Sequence, residues 1–136
     1  MKCNRTLEIC CKSTLLLLKG FLFRYSGYTD YVIARAQAAG VQKMIVTGLK
    51  FNGCKLVMTM AKTRPNRLFA ATGIHPHFLS DDWKEKTASQ LEDMIKEPYC
   101  VAVGECGLDF NRNYSPQDTQ KSAFEAHVSQ FCELQK

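Results

Sequence analysis

The chain has 136 residues, 46% of them hydrophobic, enough for one modest core and too few for a large one. Its net charge of +5, from 18 Lys+Arg against 13 Asp+Glu, suits a phosphate-bearing substrate but is far from a basic nucleic-acid arm. Seven scattered cysteines without a C-x-x-C pair argue against a zinc ribbon or a thioredoxin-like motif and for a reducing compartment.

Residues 1–29 are an atypical N-terminal segment, open to disorder. Lys2, Arg5 and Lys12 precede a four-leucine run, Leu15–Leu18, in faint likeness to a signal peptide. Lys19 interrupts the run, no small-residue cleavage pattern follows, and the run is well short of the ~20 residues of a membrane span. The expectation is an intracellular protein, cytoplasmic or nuclear, with no membrane partner.

From Asp30 to Lys136 the pattern is regular and reads as one domain. Asp30 is expected to cap a helix with Val32, Ile33, Ala36 and Ala39 at helical spacing, closed by Gly40. Lys43–Thr47 reads as a strand. Phe51–Lys62 returns to helical spacing and stops before Pro65. Leu68–Thr72 is the next strand, running into Thr-Gly-Ile-His-Pro-His at 72–77. Thr87–Lys96 is a helix, and Cys100–Glu105 a strand leading into a loop with Gly107 and Asp109. Ser115-Pro116-Gln117-Asp118 starts a last helix, on which Phe124, Val128, Phe131 and Leu134 form an apolar stripe. Strands alternating with helices about every thirty residues imply βα units and a parallel sheet.

Two consecutive strands thus end in metal-compatible side chains, His75 and His77 from one and Glu105 from the other. Parallel strands of α/β folds present their carboxyl ends to the active site, so the three are expected to converge there. A strand-end carboxylate needs a cationic partner to offset its desolvation, and either a metal ion or a salt bridge would serve. Asp109 and Arg112 flank the Glu105 loop: Asp109 suits a turn by accepting backbone N–H groups, and Arg112 could pair with a phosphate. Cys106 and His127 read as packing and structural residues.

The run Thr-Gly-Ile-His-Pro-His, followed by Val-Ala-Val-Gly-Glu-Cys-Gly-Leu-Asp-Phe-Asn-Arg-Asn-Tyr-Ser-Pro-Gln-Asp-Thr-Gln at 101–120, resembles the TatD family of metal-dependent deoxyribonucleases. Residues 30–48 also resemble that family's first helix and second strand. The resemblance implies an α/β fold, a partial (β/α)8 TIM barrel comprising about its first half. It implies hydrolysis of DNA phosphodiester bonds, as an exonuclease, on single-stranded DNA in preference to duplex. By the same resemblance Glu105 is a catalytic metal ligand and His75 a catalytic residue. His77, Arg112 and Asp109 follow as substrate-binding candidates. The metal would be Mg2+, Mn2+ or Zn2+, polarising a phosphodiester oxygen and activating a water.

The resemblance is incomplete. The family opens on a strand with an acidic metal-ligand motif, which is missing from residues 1–29, and carries two further histidines and an aspartate on later strands. A complete barrel takes about 250 residues. One carboxylate and one histidine cannot enclose a divalent ion, since catalytic sites use about three protein ligands. This chain alone is therefore expected to bind metal weakly and to hydrolyse DNA poorly or not at all. The alternative is a non-catalytic truncated isoform or fragment acting through a partner. A related amidohydrolase with a small-molecule substrate is a third reading, disfavoured by the Gly-Glu-Cys-Gly-Leu-Asp run and the basic balance.

Overall fold

A computed structural model describes residues 15–19 and 26–134. Its sheet has four parallel strands in the order β1 (Leu15–Lys19), β2 (Lys43–Thr47), β3 (Leu68–Thr72) and β4 (Cys100–Val103). The connections run through α1 (Ser26–Ala38), α2 (Phe51–Thr63), a 3-10 turn (Pro76–Phe78) with the short α3 (Leu79–Asp82), and α4 (Thr87–Ile95). Helix α5 (Gln117–Leu134) follows β4. Sequential parallel strands joined by helical crossovers are the repeating unit of a TIM barrel, and here the unit repeats without reordering.

The strands form for the expected reason. Met44 and Val46 on β2 and Leu68 and Ala70 on β3 are buried at every second position, while Ile45 and Phe69 are half-buried on the opposite face. Helix α2 lies on this sheet through Cys54, Val57, Met58, Met60 and Ala61, and α4 through Leu91 and Ile95. These side chains make one contiguous core.

The structure corrects the sequence reading in two places. Helix α1 starts at Ser26, so Asp30 lies inside it rather than capping it, and its carboxylate pairs with Arg64. The end of α1 is as expected: Gly40, at φ +88°, donates to Gln37 O at 2.9 Å, and Val41 donates to Ala36 O at 2.9 Å. That is the double hydrogen bond of a Schellman stop. Second, β1 lies within residues 1–29, where the family's opening strand was expected to be absent or altered; it consists of four leucines and Lys19, with no acidic residue, and pairs with β2 from Leu15↔Lys43 to Lys19↔Thr47. The remaining expectations for residues 1–14 and 20–25 lie outside the described residues. Helix α5 forms where the apolar stripe indicated it, and Phe124, Val128 and Phe131 of that stripe are exposed at 36%, 44% and 38%. The buried face of α5 is instead Gln120, Ala123, His127 and Gln130. Among the described residues, no helix is long and apolar enough to cross a membrane.

Candidate active site

Three loops meet at the carboxyl ends of β2, β3 and β4. Their approach depends on Gly73: a Cβ there would lie 2.8 Å from Gly104 Cα and 3.0 Å from Glu105 O, so only glycine lets the β3 loop sit against the β4 loop. On the β2 side, Leu49 O accepts the His75 N–H at 3.0 Å. Gly104, at φ +147°, turns the chain out of β4 and into Glu105.

Glu105, His75, His77, Asp109 and Arg112 share one open concavity of about 410 Å³ at this mouth. The convergence expected from the sequence is therefore present. Glu105 is half-buried, and no ion pair or hydrogen bond to its carboxylate occurs among the described residues. The salt-bridge explanation of a strand-end glutamate accordingly has no partner there.

His75 opens the 3-10 turn, and its Nδ1 accepts the His77 N–H at 3.2 Å. In the neutral ring this acceptor role assigns the proton to Nε2. His77 Nε2 lies 2.5 Å from Asp109 Oδ2, with both side chains about one-fifth exposed, at 21% and 18%. Asp109 Oδ1 accepts the Arg112 N–H at 3.0 Å, which is the loop-shaping role expected of it. The Arg112 backbone N–H, and then His77, hold the Asp109 carboxyl down at about 2. Arg112 itself points outward, 63% exposed, with Nη1 at 3.6 Å from Asp109 Oδ2.

Behind these loops, buried polar groups of α5 fix the backbone. Gln120, with no exposed surface, accepts the Asp109 N–H at 2.7 Å and donates to Ser115 O at 2.7 Å and Asp109 O at 3.3 Å. His127 Nε2 accepts the Ile74 N–H at 3.1 Å, so its Nδ1 carries the proton and donates to Ala123 O at 2.5 Å. Its ring stacks on Trp83 with centroids 5.5 Å apart, and burial lowers its pKa. His127 is thus structural, holding the residue next to His75. Cys106 is half-buried, and desolvation raises its thiol pKa, which leaves it a protonated packing group. Cys54 is fully buried, donates to Gly73 O at 3.2 Å and is pushed up to about 12.

The carboxylate oxygens of Glu105 suit a hard divalent cation. However, no group of three His, Cys, Asp or Glu side chains that could hold a metal occurs among the described residues. His77 and Asp109 are turned toward each other. The described residues therefore do not enclose an ion by themselves.

The arrangement of a His-Pro-His turn and a Gly-Glu-Cys-Gly-Leu-Asp loop at adjacent strand ends is matched by a family model for TatD related DNase over residues 21–136. The chain belongs to the TatD family. It is 39% identical over 113 residues to a 3'-5' ssDNA/RNA exonuclease TatD from Edwardsiella piscicida, covering 83% of this chain and 43% of that protein. It is 40% identical over 105 residues to the protein of the same name from Erwinia tasmaniensis, covering 77% and 40%. Among solved structures it is similar to YJJV, a TatD homolog from Escherichia coli k12, with a TM-score of 0.70 and 26% identity over 85% of this chain and 45% of the other. A TatD family hydrolase from Entamoeba histolytica shares the fold, with a TM-score of 0.62 over 77% of this chain. The chain spans about 40% of the length of the curated relatives it matches.

The sequence reading missed Gln120, because a glutamine between turn residues carries no pattern. It also missed Lys50, Phe78 and Tyr114, which stand at the rim of the mouth. An aromatic next to the Ser-Pro helix start was the one available signal for Tyr114.

Proposed function

We propose that this chain carries part of a TatD-type phosphodiesterase site acting on single-stranded nucleic acid, with exonuclease action as in the proteins it is similar to. The observation that carries this reading is Glu105: a half-buried carboxylate at the end of β4, without a cationic partner among the described residues, facing the same concavity as His75 and His77. A carboxylate so placed is a group kept for something that arrives.

In this reading Glu105 is a metal ligand, for Mg2+, Mn2+ or Zn2+. His75, oriented through Nδ1, lines the same concavity and is the histidine assigned to the reacting centre. The His77–Asp109 pair fixes the spacing of the two loops, and Arg112 offers an exposed guanidinium to a phosphate. With no group of three ligands among the described residues, cation affinity and turnover of the 136-residue chain are expected to be low.

The test is cleavage of a 5'-labelled single-stranded oligonucleotide with Mg2+ or Mn2+, by the chain and by Glu105→Ala. Slow, metal-stimulated cleavage that disappears in Glu105→Ala supports the proposal. Cleavage unchanged in the variant contradicts it, and none above a protein-free control favours the non-catalytic, partner-binding reading.

A further inference from the structure

Around the mouth, aromatic rings and cations continue outward from His75 and His77 to Lys50, Phe78 and Tyr114, three residues that the catalytic reading does not use. Lys50, exposed at the end of the β2 loop, places Nζ 4.2 Å from the centroid of the Phe78 ring. Phe78 lies 5.9 Å from His75 and 6.4 Å from His77, and the two histidine rings are 4.4 Å apart, edge to face. His77 in turn meets Tyr114 edge to face at 4.8 Å. Tyr114 is 66% exposed, although its neighbour Ser115 is 1% exposed and accepts the Ser80 N–H at 3.2 Å. A large ring left in water on a backbone pinned on one side is a prepared surface.

We propose that Tyr114 and Lys50 bracket a binding track for single-stranded nucleic acid across the mouth, with a base stacked on Tyr114 and a backbone phosphate at Lys50. The proposal rests on the nucleic-acid reading above and extends it to residues outside the reacting centre. Every base has a π-face, so an exposed tyrosine gives sequence-tolerant binding, and a cation at the far end supplies the phosphate contact. Bases in a duplex are already stacked on each other, so the track selects single strands. The pairing of His77 with Asp109 holds the ring on which Tyr114 rests, and the Arg112 guanidinium flanks the same loop.

The test is binding rather than cleavage. Fluorescence anisotropy of a labelled oligo-dT is measured with the full 136-residue chain in EDTA, so that metal-dependent hydrolysis is off. Tyr114→Ala is expected to weaken binding by about 5- to 100-fold, with Tyr114→Phe near the unsubstituted value. Lys50→Gln is expected to weaken it and to reduce the salt slope by about 0.7, one phosphate contact on a single strand. Duplex of the same length should compete poorly. Equal binding by Tyr114→Ala, equal competition by duplex, or no binding by the unsubstituted chain overturns the track. If Glu105-dependent cleavage is found while Tyr114→Ala binds normally, the nuclease reading stands and the track falls. If the Tyr114 and Lys50 effects appear without any cleavage, the reverse holds.

Discussion

Helices α2 and α5 both carry apolar side chains at helical spacing, yet they bury opposite kinds of face. Helix α2 buries Cys54, Val57, Met58, Met60 and Ala61 against the sheet, as its pattern indicates. Helix α5 leaves Phe124, Val128 and Phe131 exposed and turns Gln120, Ala123, His127 and Gln130 inward. The difference lies in what each helix packs on. Helix α2 lies on β2 and β3, whose buried Met44, Val46, Leu68 and Ala70 are apolar. Helix α5 lies behind the loops that leave β3 and β4, whose exposed backbone N–H and C=O groups need partners when buried. Gln120 and His127 supply them at Asp109, Ser115 and Ile74, and Gln130 donates to Ala88 O at 2.6 Å. One helix builds the core and the other splints the site.

That contrast can be broken by substitution. The largest losses should come equally from an apolar and a polar residue. Leu91→Ala, in the α4 part of the core, is expected to cost about 3 kcal/mol in urea unfolding. His127→Ala should cost about as much, since it orphans the Ile74 N–H and empties the space beside Trp83. A loss below about 1 kcal/mol for His127→Ala would show that α5 is not a splint. Gln120→Ala comes next, at about 2 kcal/mol, because it leaves the Asp109 N–H and the Ser115 carbonyl without their partner. Chemical shifts of residues 105–112 should move in that variant and stay still in Leu91→Ala.

Protonation gives a smaller effect with a definite sign. Burial lowers the folded-state pKa of His127 below its ordinary 6.5, so the unfolded chain binds the extra proton first. The stability this residue contributes is complete above that ordinary value and declines as pH falls toward the lowered one. His127→Gln should flatten this slope in a series of unfolding curves between neutral and mildly acidic pH. Asp109 acts lower on the scale. Its carboxyl is held at about 2 against an ordinary 3.8, so its contribution persists above the ordinary value and is lost only as pH falls through the lowered one. The smallest effect is on the exposed stripe: Phe131→Ser should change stability by less than about 0.5 kcal/mol, whereas a buried phenylalanine would cost several.

Much of the architecture was readable from the chain because period-2 and helical patterns are local. Strands β2 and β3 have the residues expected of them, and β4 stops two residues short of Glu105. The convergence of Glu105 with His75 and His77 was also readable, since strand ends of one parallel sheet must share an edge. What escaped the sequence was non-local or unpatterned. The His77–Asp109 pair joins residues 32 apart in the chain. The apolar stripe of α5 indicates a helix but not which face it buries, because that depends on the surface beneath it. Asp30 has the chemistry of a cap, but the turn before it is already helical, and the carboxylate finds Arg64 instead. Strand β1 follows no helical or turn signal that would single it out from its leucines.

The central claim is that the Glu105 carboxylate receives a cation at the mouth of the sheet. Paramagnetic broadening by Mn2+ in amide NMR spectra tests it most directly, because it locates even a weak site. The account predicts broadening centred on Glu105, Cys106 and the His75 turn, abolished in Glu105→Ala. Broadening centred elsewhere, such as on Asp81 and Asp82, or unchanged by that substitution, would contradict it.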